Sequence, residues 1–312
     1  MNNAEKMFLL VAKEMSITNA AKKAFVTQQC ASDYIHKLEV KYGVPLFNRH
    51  PKLSLTEAGK ITLGILQKTQ KLENILVNQL QEVKGEITGR LNVGMNPTRA
   101  RILLPTVLNS FRTFYPKVSV SCPLADTKTL SELLLSNKID LFLGINPESH
   151  PNLLRKEVGH DQIFFVTSKQ ACANYLSKGE KLTPENISRF PVTRNLQEST
   201  LNNLVDQQLN SFNIALHSFY YTSDYDTQIA MCGQGFTSAF CPTMVLNRVF
   251  DYNNSHNKKN QIVILPISAI SDYLRVDIVT YKDMPQPLFV NKFIEILQQE
   301  IKDVYEKIKL HN

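Results

Sequence analysis

The spacing of apolar residues changes near residues 85–90, and this change divides the chain into two kinds of structure. Before it, apolar side chains recur mainly at helical spacing. After it, alternating runs such as Leu91, Val93 and Met95 are followed by helical patterns, and the succession repeats towards the C-terminus. Strands that alternate with helices favour parallel sheets with helices on both faces. The sequence therefore predicts a helical N-terminal part followed by an α/β part.

Length and composition are those of a folded, soluble chain. The 312 residues have room for about two domains or more, and 43% of them are hydrophobic while 20% are charged, which excludes general disorder. No run approaches the ~20 apolar residues of a membrane helix. The apolar stretch near the N-terminus is too short for a signal sequence and lacks a cleavage site. We expect a cytoplasmic protein.

Positive charge is concentrated at the N-terminus. Residues 1–90 hold 13 lysines and arginines against 8 acids, whereas the other 222 residues hold 22 against 20. A basic N-terminal module is what binding to nucleic acid requires, although many cytoplasmic proteins also have basic faces.

The first 60 residues predict three short helices and a small hairpin. Ser16 or Thr18 can cap the second helix, Thr27 can cap the third, and Gly43 ends the third. Two short strands then flank a basic turn at residues 49–52. Three helices in about 40 residues fit a helix-turn-helix, in which the third helix enters the major groove of DNA.

The third helix has an apolar and a polar face. Ala31, Ile35 and Leu38 point inwards at helical spacing. Glutamine can bond adenine with a donor and an acceptor, and lysine can contact guanine or phosphate, while the basic turn would lie beside the backbone as a wing. A small helical subdomain with a solvated polar face remains the alternative. The candidate DNA-binding residues are Thr27, Gln28, Gln29, Ser32, His36, Lys37, Arg49 and Lys52.

Residues 56–84 predict one long helix with an apolar stripe. The stripe comprises Ile61, Ile65, Leu72, Ile75, Leu76, Leu80 and Val83. A helix of this kind leaves its stripe in water unless another helix or its own chain covers it. Pairing with the same helix of a second subunit is the interpretation we favour, and packing on the same chain is the alternative.

The order and spacing of several motifs resemble the family of LysR-type transcriptional regulators along the whole chain. The N-terminal motifs are SITNAA at 16–21, TQQCAS at 27–32, LE at 38–39, LFNR at 46–49 and LTEAG at 55–59. The later ones are GRLNVG at 89–94, LP at 104–105, YP at 115–116, KIDL at 138–141 and CGQG at 232–235. Two residues depart from the pattern of the family. Gln29 stands where proline is common, and Asp33 stands where a basic or small polar residue is frequent. An acid at that position is repelled by the phosphates of DNA unless it pairs with Lys37 or accepts a hydrogen bond from cytosine. The wing is also about one residue shorter than the commonest version.

The resemblance implies an N-terminal all-α winged helix-turn-helix at 1–58, a linker and dimerisation helix at 59–88, and a two-lobed effector domain at 89–312 that is similar to periplasmic solute-binding proteins. We place lobe I at 89–161 and 269–312 and lobe II at 162–268, with crossings near 160–162 and 267–269. It also implies a homodimer or homotetramer that binds double-stranded promoter DNA and responds to a small molecule, with no cofactor and no membrane.

Polar residues at predicted strand ends and helix starts suggest where that molecule binds, because ligands of such folds lie at the carboxyl ends of strands and at helix N-termini. These residues favour a small polar or anionic effector. N-capping is the competing role for Asn96 and Thr98. Arg99, Arg101 and Arg194 could supply charge, but we expect each on the solvated surface. The candidate effector-binding residues are Asn96, Thr98, Thr127, Ile145, Asn146, Thr193, Ser199 and Thr200.

Rival classes of function find less support. No motif of a nucleophile, a P-loop or a metal site is present, so we expect neither an enzyme nor a bound metal. A secreted solute-binding protein would lack residues 1–84 and carry a signal peptide. A redox-responsive regulator of the same family, using Cys232 and Cys241, is the remaining alternative. We expect those two cysteines, like Cys30, Cys122 and Cys172, to be reduced thiols, and Cys232 and Cys241 to be core residues.

Overall fold

The computed structural model describes residues 1–49, 51–83, 87–196, 199–211, 214–267, 274–282 and 284–311, with the backbone alone for residues 78, 81–83, 200 and 311. Within these ranges no helix has the length and apolarity that crossing a membrane requires.

The N-terminal module has three helices and a two-stranded hairpin, as predicted. They are α1 (Asn3–Glu14), α2 (Ile17–Lys23), α3 (Gln28–Tyr42), β1 (Phe47–Asn48) and β2 (Ser54–Leu55). Ser16, not Thr18, caps α2, and its side chain accepts a hydrogen bond from the Asn19 backbone. Thr27 caps α3 in the same way, and Gly43 ends α3 in the left-handed conformation. Local side-chain hydrogen bonds therefore set the starts of both helices.

One long helix, α4 (Glu57–Val83), follows the hairpin, and most of the predicted apolar stripe along it is exposed, whereas Leu66, which was not part of the stripe, packs inwards. Leu66 is buried in the core of the N-terminal module. Ile61, Ile65, Leu72, Leu76 and Leu80 are all exposed in the single chain. Ile75 was assigned to the subunit interface, but it is only 5% exposed in its own chain. The side chain of Val83 lies outside the described residues.

After α4 the chain alternates strands and helices. In chain order the elements are β3 (Gly89–Gly94), α5 (Pro97–Phe114), β4 (Val118–Ser121), α6 (Thr127–Leu135), β5 (Leu141–Ile145), β6 (Leu153–Asp161), β7 (Ile163–Ser168), α7 (Lys169–Tyr175), β8 (Pro191–Arg194), α8 (Thr200–Ser211), β9 (His217–Tyr221), α9 (Tyr225–Gly233), β10 (Ser238–Pro242), α10 (Leu246–Ser255), β11 (Ile262–Pro266), β12 (Leu274–Tyr281) and α11 (Leu288–His311). Short 3-10 helices lie at Pro184–Arg189, Thr243–Val245 and Lys258–Asn260.

Two five-stranded sheets form the centres of two lobes. The first has the strand order β4-β3-β5-β12-β6 and the second β11-β7-β10-β8-β9. Strands β3, β4 and β5 run parallel, but β12 is antiparallel to β5 and β6, and β7 is antiparallel to β10 and β11. The sheets are therefore mixed and not wholly parallel as predicted. The reason is topological: β6 leads from the first sheet to the second and β12 returns, so these neighbours run in opposite directions.

The first crossing between lobes lies at Gln162, between β6 and β7. The second lies between Pro266 and Leu274, and residues 268–273 of it are outside the described residues, as is part of the crossing expected at 267–269. Strand β6 was not anticipated, because its charged edge residues give no alternation of apolar and polar side chains. This strand ends at Asp161, a fully buried residue that lies between the two lobes.

Candidate functional site

The polar face of α3 is open to solvent. Gln28, Gln29, His36 and Lys37 are exposed and Ser32 is half-buried, whereas Ala31, Ile35 and Leu38 are buried. The Thr18 hydroxyl donates to Oε1 of Gln28 over 3.1 Å, so α2 holds that side chain in place. Gln29 keeps its amide available for a base edge.

The structure describes the side chains of Asp33 and Lys37, and the ion pair between them that was considered from the sequence is not formed. Lys37 instead places its ammonium group 5.7 Å from the centre of the Tyr34 ring. Asp33 therefore remains an exposed acid on the face that would approach DNA, and it is available to accept a hydrogen bond from cytosine.

Glu39 joins the hairpin to α3. Its Oε1 accepts from the backbone N–H groups of Leu46 (2.9 Å) and Phe47 (3.4 Å), and its Oε2 lies 3.5 Å from the Arg49 guanidinium. Arg49 is thus shared between the candidate interface and an internal ion pair. Lys52 is exposed at the turn. In the sequence, Glu39 is recognisable only as part of the LE motif at 38–39. Its hydrogen bonds could not be predicted, because the partners lie seven to ten residues away along the chain.

A cavity of about 710 Å³ lies between the two lobes. The N-termini of α5 and α6 border it from the first lobe, and residues that follow β8 and β9 border it from the second. Its wall combines apolar side chains, including Ile102, Leu201 and Val245, with hydroxyls, amides and charges. The volume is in the range of ~300–1,000 Å³ typical of small-molecule sites.

Five of the eight candidate effector-binding residues line this cavity: Asn96, Thr98, Thr127, Ile145 and Ser199. Asn96 caps α5, since its side chain accepts from the Arg99 backbone over 2.8 Å. The capping role therefore belongs to Asn96 and not to Thr98. Within the described part of the chain the Thr98 hydroxyl has no hydrogen-bond partner.

Two candidates lie elsewhere and one is not described. Asn146 turns away at φ 42° and its side chain accepts from the Arg275 backbone over 2.8 Å. Thr193 is buried and bonds the Thr237 hydroxyl at 2.9 Å. Thr193 lies inside β8, so that the residue after this strand is Asn195, whereas Asn146 directly follows β5 but is held by its bond to the Arg275 backbone. The side chain of Thr200, which begins α8, lies outside the described residues.

Asn195 and Tyr225, which the sequence analysis did not select, also line the cavity. The Asn195 side chain donates to the Ser199 hydroxyl (3.0 Å) and to the Tyr225 hydroxyl (3.2 Å), and it accepts from Gln228 (2.8 Å). Burial raises the pKa of Tyr225, so its hydroxyl stays protonated and able to donate. These bonds fix one wall of the cavity in a single arrangement.

Arg99 also faces this region, and the expectation of a solvated side chain was wrong. Its side chain is 3% exposed and pairs with the fully buried Asp161. Burial alone would lower the pKa of Arg99, but the Asp161 carboxylate and Tyr305 outweigh burial, and the pKa lies above its usual value. Arg101 is exposed, as expected, and pairs with Asp224 and Asp226. Arg194 is not solvated as expected: its side chain is only 12% exposed and pairs with Asp206.

The two cysteines of the redox alternative are buried and not disulfide-bonded. Burial raises the pKa of both the Cys232 and the Cys241 thiol far above neutrality. The thiolate is the form that reacts with oxidants, so these environments suppress such chemistry. Both residues belong to the hydrophobic core of the effector domain, as expected from the sequence.

Two family models match the chain. Residues 3–60 match the bacterial regulatory helix-turn-helix protein model of the lysR family, and residues 84–302 match the LysR substrate binding domain. Among curated relatives, the HTH-type transcriptional regulator CbbR of Rhodospirillum rubrum is 27% identical over 244 residues, which cover 77% of this chain and 80% of CbbR.

Solved structures of similar fold extend over nearly the whole chain. Full-length CbnR in complex with its target DNA superposes with a TM-score of 0.60 at 19% identity, covering 96% of this chain and all of CbnR. Full-length LysG from Corynebacterium glutamicum with bound effector Arg superposes with a TM-score of 0.70 at 14% identity, covering 97% of this chain and 99% of LysG. The two matching domains, in this order and over this length, show that the chain belongs to the LysR family of bacterial transcriptional regulators.

Proposed function

We propose that this regulator binds promoter DNA as a homodimer or homotetramer in the cytoplasm and changes its action when a small polar or anionic effector enters the cavity between its lobes. The observation that carries the proposal is the convergence of Asn96, Thr98 and Thr127 from one lobe with Asn195 and Ser199 from the other on a single cavity. A ligand there prefers one angle between the lobes, and only such a preference can shift a conformational equilibrium.

The basic N-terminal module and the uncommitted polar face of α3 support binding to DNA. The relatives support it as well, since CbnR was solved with its target DNA. The exposed stripe Ile61, Ile65, Leu72, Leu76 and Leu80 supports assembly, because an apolar stripe along a single helix calls for a partner. Burial of both thiols favours an effector over the redox alternative.

Gln29→Ala is expected to relax base preference at one position of the operator by ~1–3 kcal/mol, because the change removes a donor–acceptor pair from a base edge. Binding of the purified protein to an operator and to its single-base variants, measured by fluorescence anisotropy, gives this number. An unchanged footprint and unchanged affinity would mean that α3 presents a different face.

Lys52→Ala is the matched control for this test. A lysine at the wing that contacts phosphate contributes equally to all sequences, so its loss should weaken binding uniformly and flatten the dependence of affinity on salt. Base preference should stay as in the wild type.

Thr98→Val is expected to weaken effector binding by ~1–3 kcal/mol while operator binding persists, because the hydroxyl is lost at nearly constant volume and a ligand acceptor is left unpaired. Calorimetry with the effector, once identified, beside a thermal melt of the same variant checks this. Because Asn96 supplies the cap of α5, the melting temperature should hold. A lower melting temperature with unchanged effector affinity would assign Thr98 a structural role instead.

A further inference from the structure

Arg99 is a buried cation beside the cavity between the lobes. It occupies the first turn of α5, lines the cavity between the lobes, and has a side chain only 3% exposed. A buried cation is unfavourable, and a cation at a helix N-terminus opposes the helix dipole as well. An apolar side chain would fill the same volume without these two unfavourable effects. Packing alone therefore does not explain an arginine at this position.

The hydrogen bonds of Arg99 are incomplete. A guanidinium has five N–H donors. One terminal nitrogen contacts Asp161, and the other lies 3.2 Å from the Met244 sulfur, which is a weak acceptor. Nε has no partner among the residues that the structure describes. Met244 lines the cavity too, so the terminal nitrogen beside it lies next to the cavity, whereas Nε is buried.

Asp161 already accepts hydrogen bonds from three groups. Its Oδ1 accepts from the Met244 backbone N–H (3.1 Å) and from the Tyr305 hydroxyl (2.9 Å), and its Oδ2 takes the Arg99 contact. These bonds hold the carboxylate between α11 and the 3-10 helix at Thr243–Val245. Asp161 thereby positions the guanidinium and Tyr305 bonds it as well, while a stronger acceptor for the nitrogen beside Met244 can come from the cavity.

The surroundings favour an acceptor that is charged. The N–H groups of Thr98 in α5 and of Thr127 and Lys128 in α6 lie at the cavity and have no acceptor within their helices. Lys128 is on the wall as well. Of the two acids there, Asp126 already accepts from the Thr129 backbone (2.8 Å) and hydroxyl (3.1 Å), and Glu132 is exposed. Apolar side chains such as Ile102, Leu201 and Leu274 cover the rest.

From this geometry we propose that the effector is a small organic carboxylate with a partly apolar body, and that Arg99 binds its carboxylate while Asp161 holds the guanidinium in place. The inference rests on the proposed function and specifies the ligand class of the same cavity. A guanidinium bridging two carboxylates satisfies its fork on both sides, which the chain alone does not do.

The test compares matched carboxylates and carboxamides on the full-length protein by calorimetry: hexanoate with hexanamide, and phenylacetate with phenylacetamide. Each pair differs in charge but hardly in shape. At least one carboxylate should bind ten times or more tightly than its carboxamide. Arg99→Lys keeps the charge but loses the fork and Nε, and it should reduce that ratio at least fivefold. Arg101→Lys, two residues along α5 and paired on the surface with Asp226, is the control and should leave the ratio unchanged.

Equal binding of carboxylate and carboxamide, or no binding of either carboxylate, overturns the inference. If Arg99→Lys does not fold, the ratio in the wild type still decides the ligand class, and Arg99→Gln then tests the role of the guanidinium. Operator binding of the same preparation is measured in parallel. A protein that binds its operator but shows no carboxylate preference refutes only the ligand class, whereas one that binds no operator refutes the proposed function.

Discussion

Replacing Leu72 and Leu76 with lysine should produce monomers that no longer protect an operator. Both side chains lie on the exposed stripe of α4, at 46% and 56% exposure, and charges there cannot be buried against a second α4. One winged module contacts few phosphates, and two modules on one site gain a factor of about 10²–10⁴ in avidity. The double variant should lose affinity by roughly that factor.

Sedimentation velocity and operator footprinting check this expectation. Leu310→Lys is the matched control, since Leu310 is 86% exposed on α11 and far along the chain from the stripe. It should leave both assembly and footprint intact. A wild-type protein that sediments as a monomer at micromolar concentration would contradict the assignment of the stripe to a subunit interface.

Gly59→Ala should destabilise the N-terminal module by about 1–3 kcal/mol or more, because a methyl group has no room there. A Cβ at this position would stand 2.1 Å from the Leu46 carbonyl oxygen. That carbonyl accepts from Thr56, and the Leu46 N–H is held by Glu39, so the backbone cannot easily withdraw. If the Leu46 carbonyl is pushed aside, its hydrogen bond from Thr56 is lost and the hairpin is no longer held in place. Tight operator binding should then be abolished as well.

Hydrogen exchange of peptides from α3 measures the effect within the module. Gly64→Ala is the control, because nothing lies within 4 Å of a Cβ at that helical position. Alanine in place of glycine in a helix should stabilise it by roughly 0.5–1 kcal/mol. Equal protection of wild type and Gly59→Ala would show that the hairpin can shift to make room.

Local chemistry explains why the N-terminal module could be predicted so closely. Thr27 and Gly43 bound α3 through hydrogen bonds and backbone conformation within a few residues, and Ala31 and Ile35 mark its buried face. Such signals are short-range and can be read from the sequence. Strand ends were placed less well, since β5 and β8 continue beyond their apolar cores. Thr193 is therefore inside β8 and off the cavity, whereas Asn146 follows β5 directly and is held off the cavity by its bond to the Arg275 backbone.

Residues whose role depends on distant partners could not be predicted. Arg99 reads as a surface cation until β6 brings Asp161, 62 positions later, beneath it. Ile75 fits the stripe of α4 by spacing, and only the fold shows that its own chain covers it. Helical spacing specifies a face but not which neighbour covers it, so tertiary contacts decide these cases.

The long helix α4 contacts both the N-terminal module and the first lobe. Its middle is held on the first lobe by Lys71, 3.2 Å from Asp140, and by Lys68, whose ammonium lies 5.0 Å from the centre of the Tyr281 ring. Leu66 anchors the same helix in the N-terminal core. About 14 residues, or ~20 Å, separate Lys71 from the start of α4, so a tilt of about 10° at the lobe moves that start by ~3.5 Å. This displacement equals about one base-pair step of ~3.4 Å, so in the proposed dimer a small rotation of a lobe would change which base pairs the two subunits reach together.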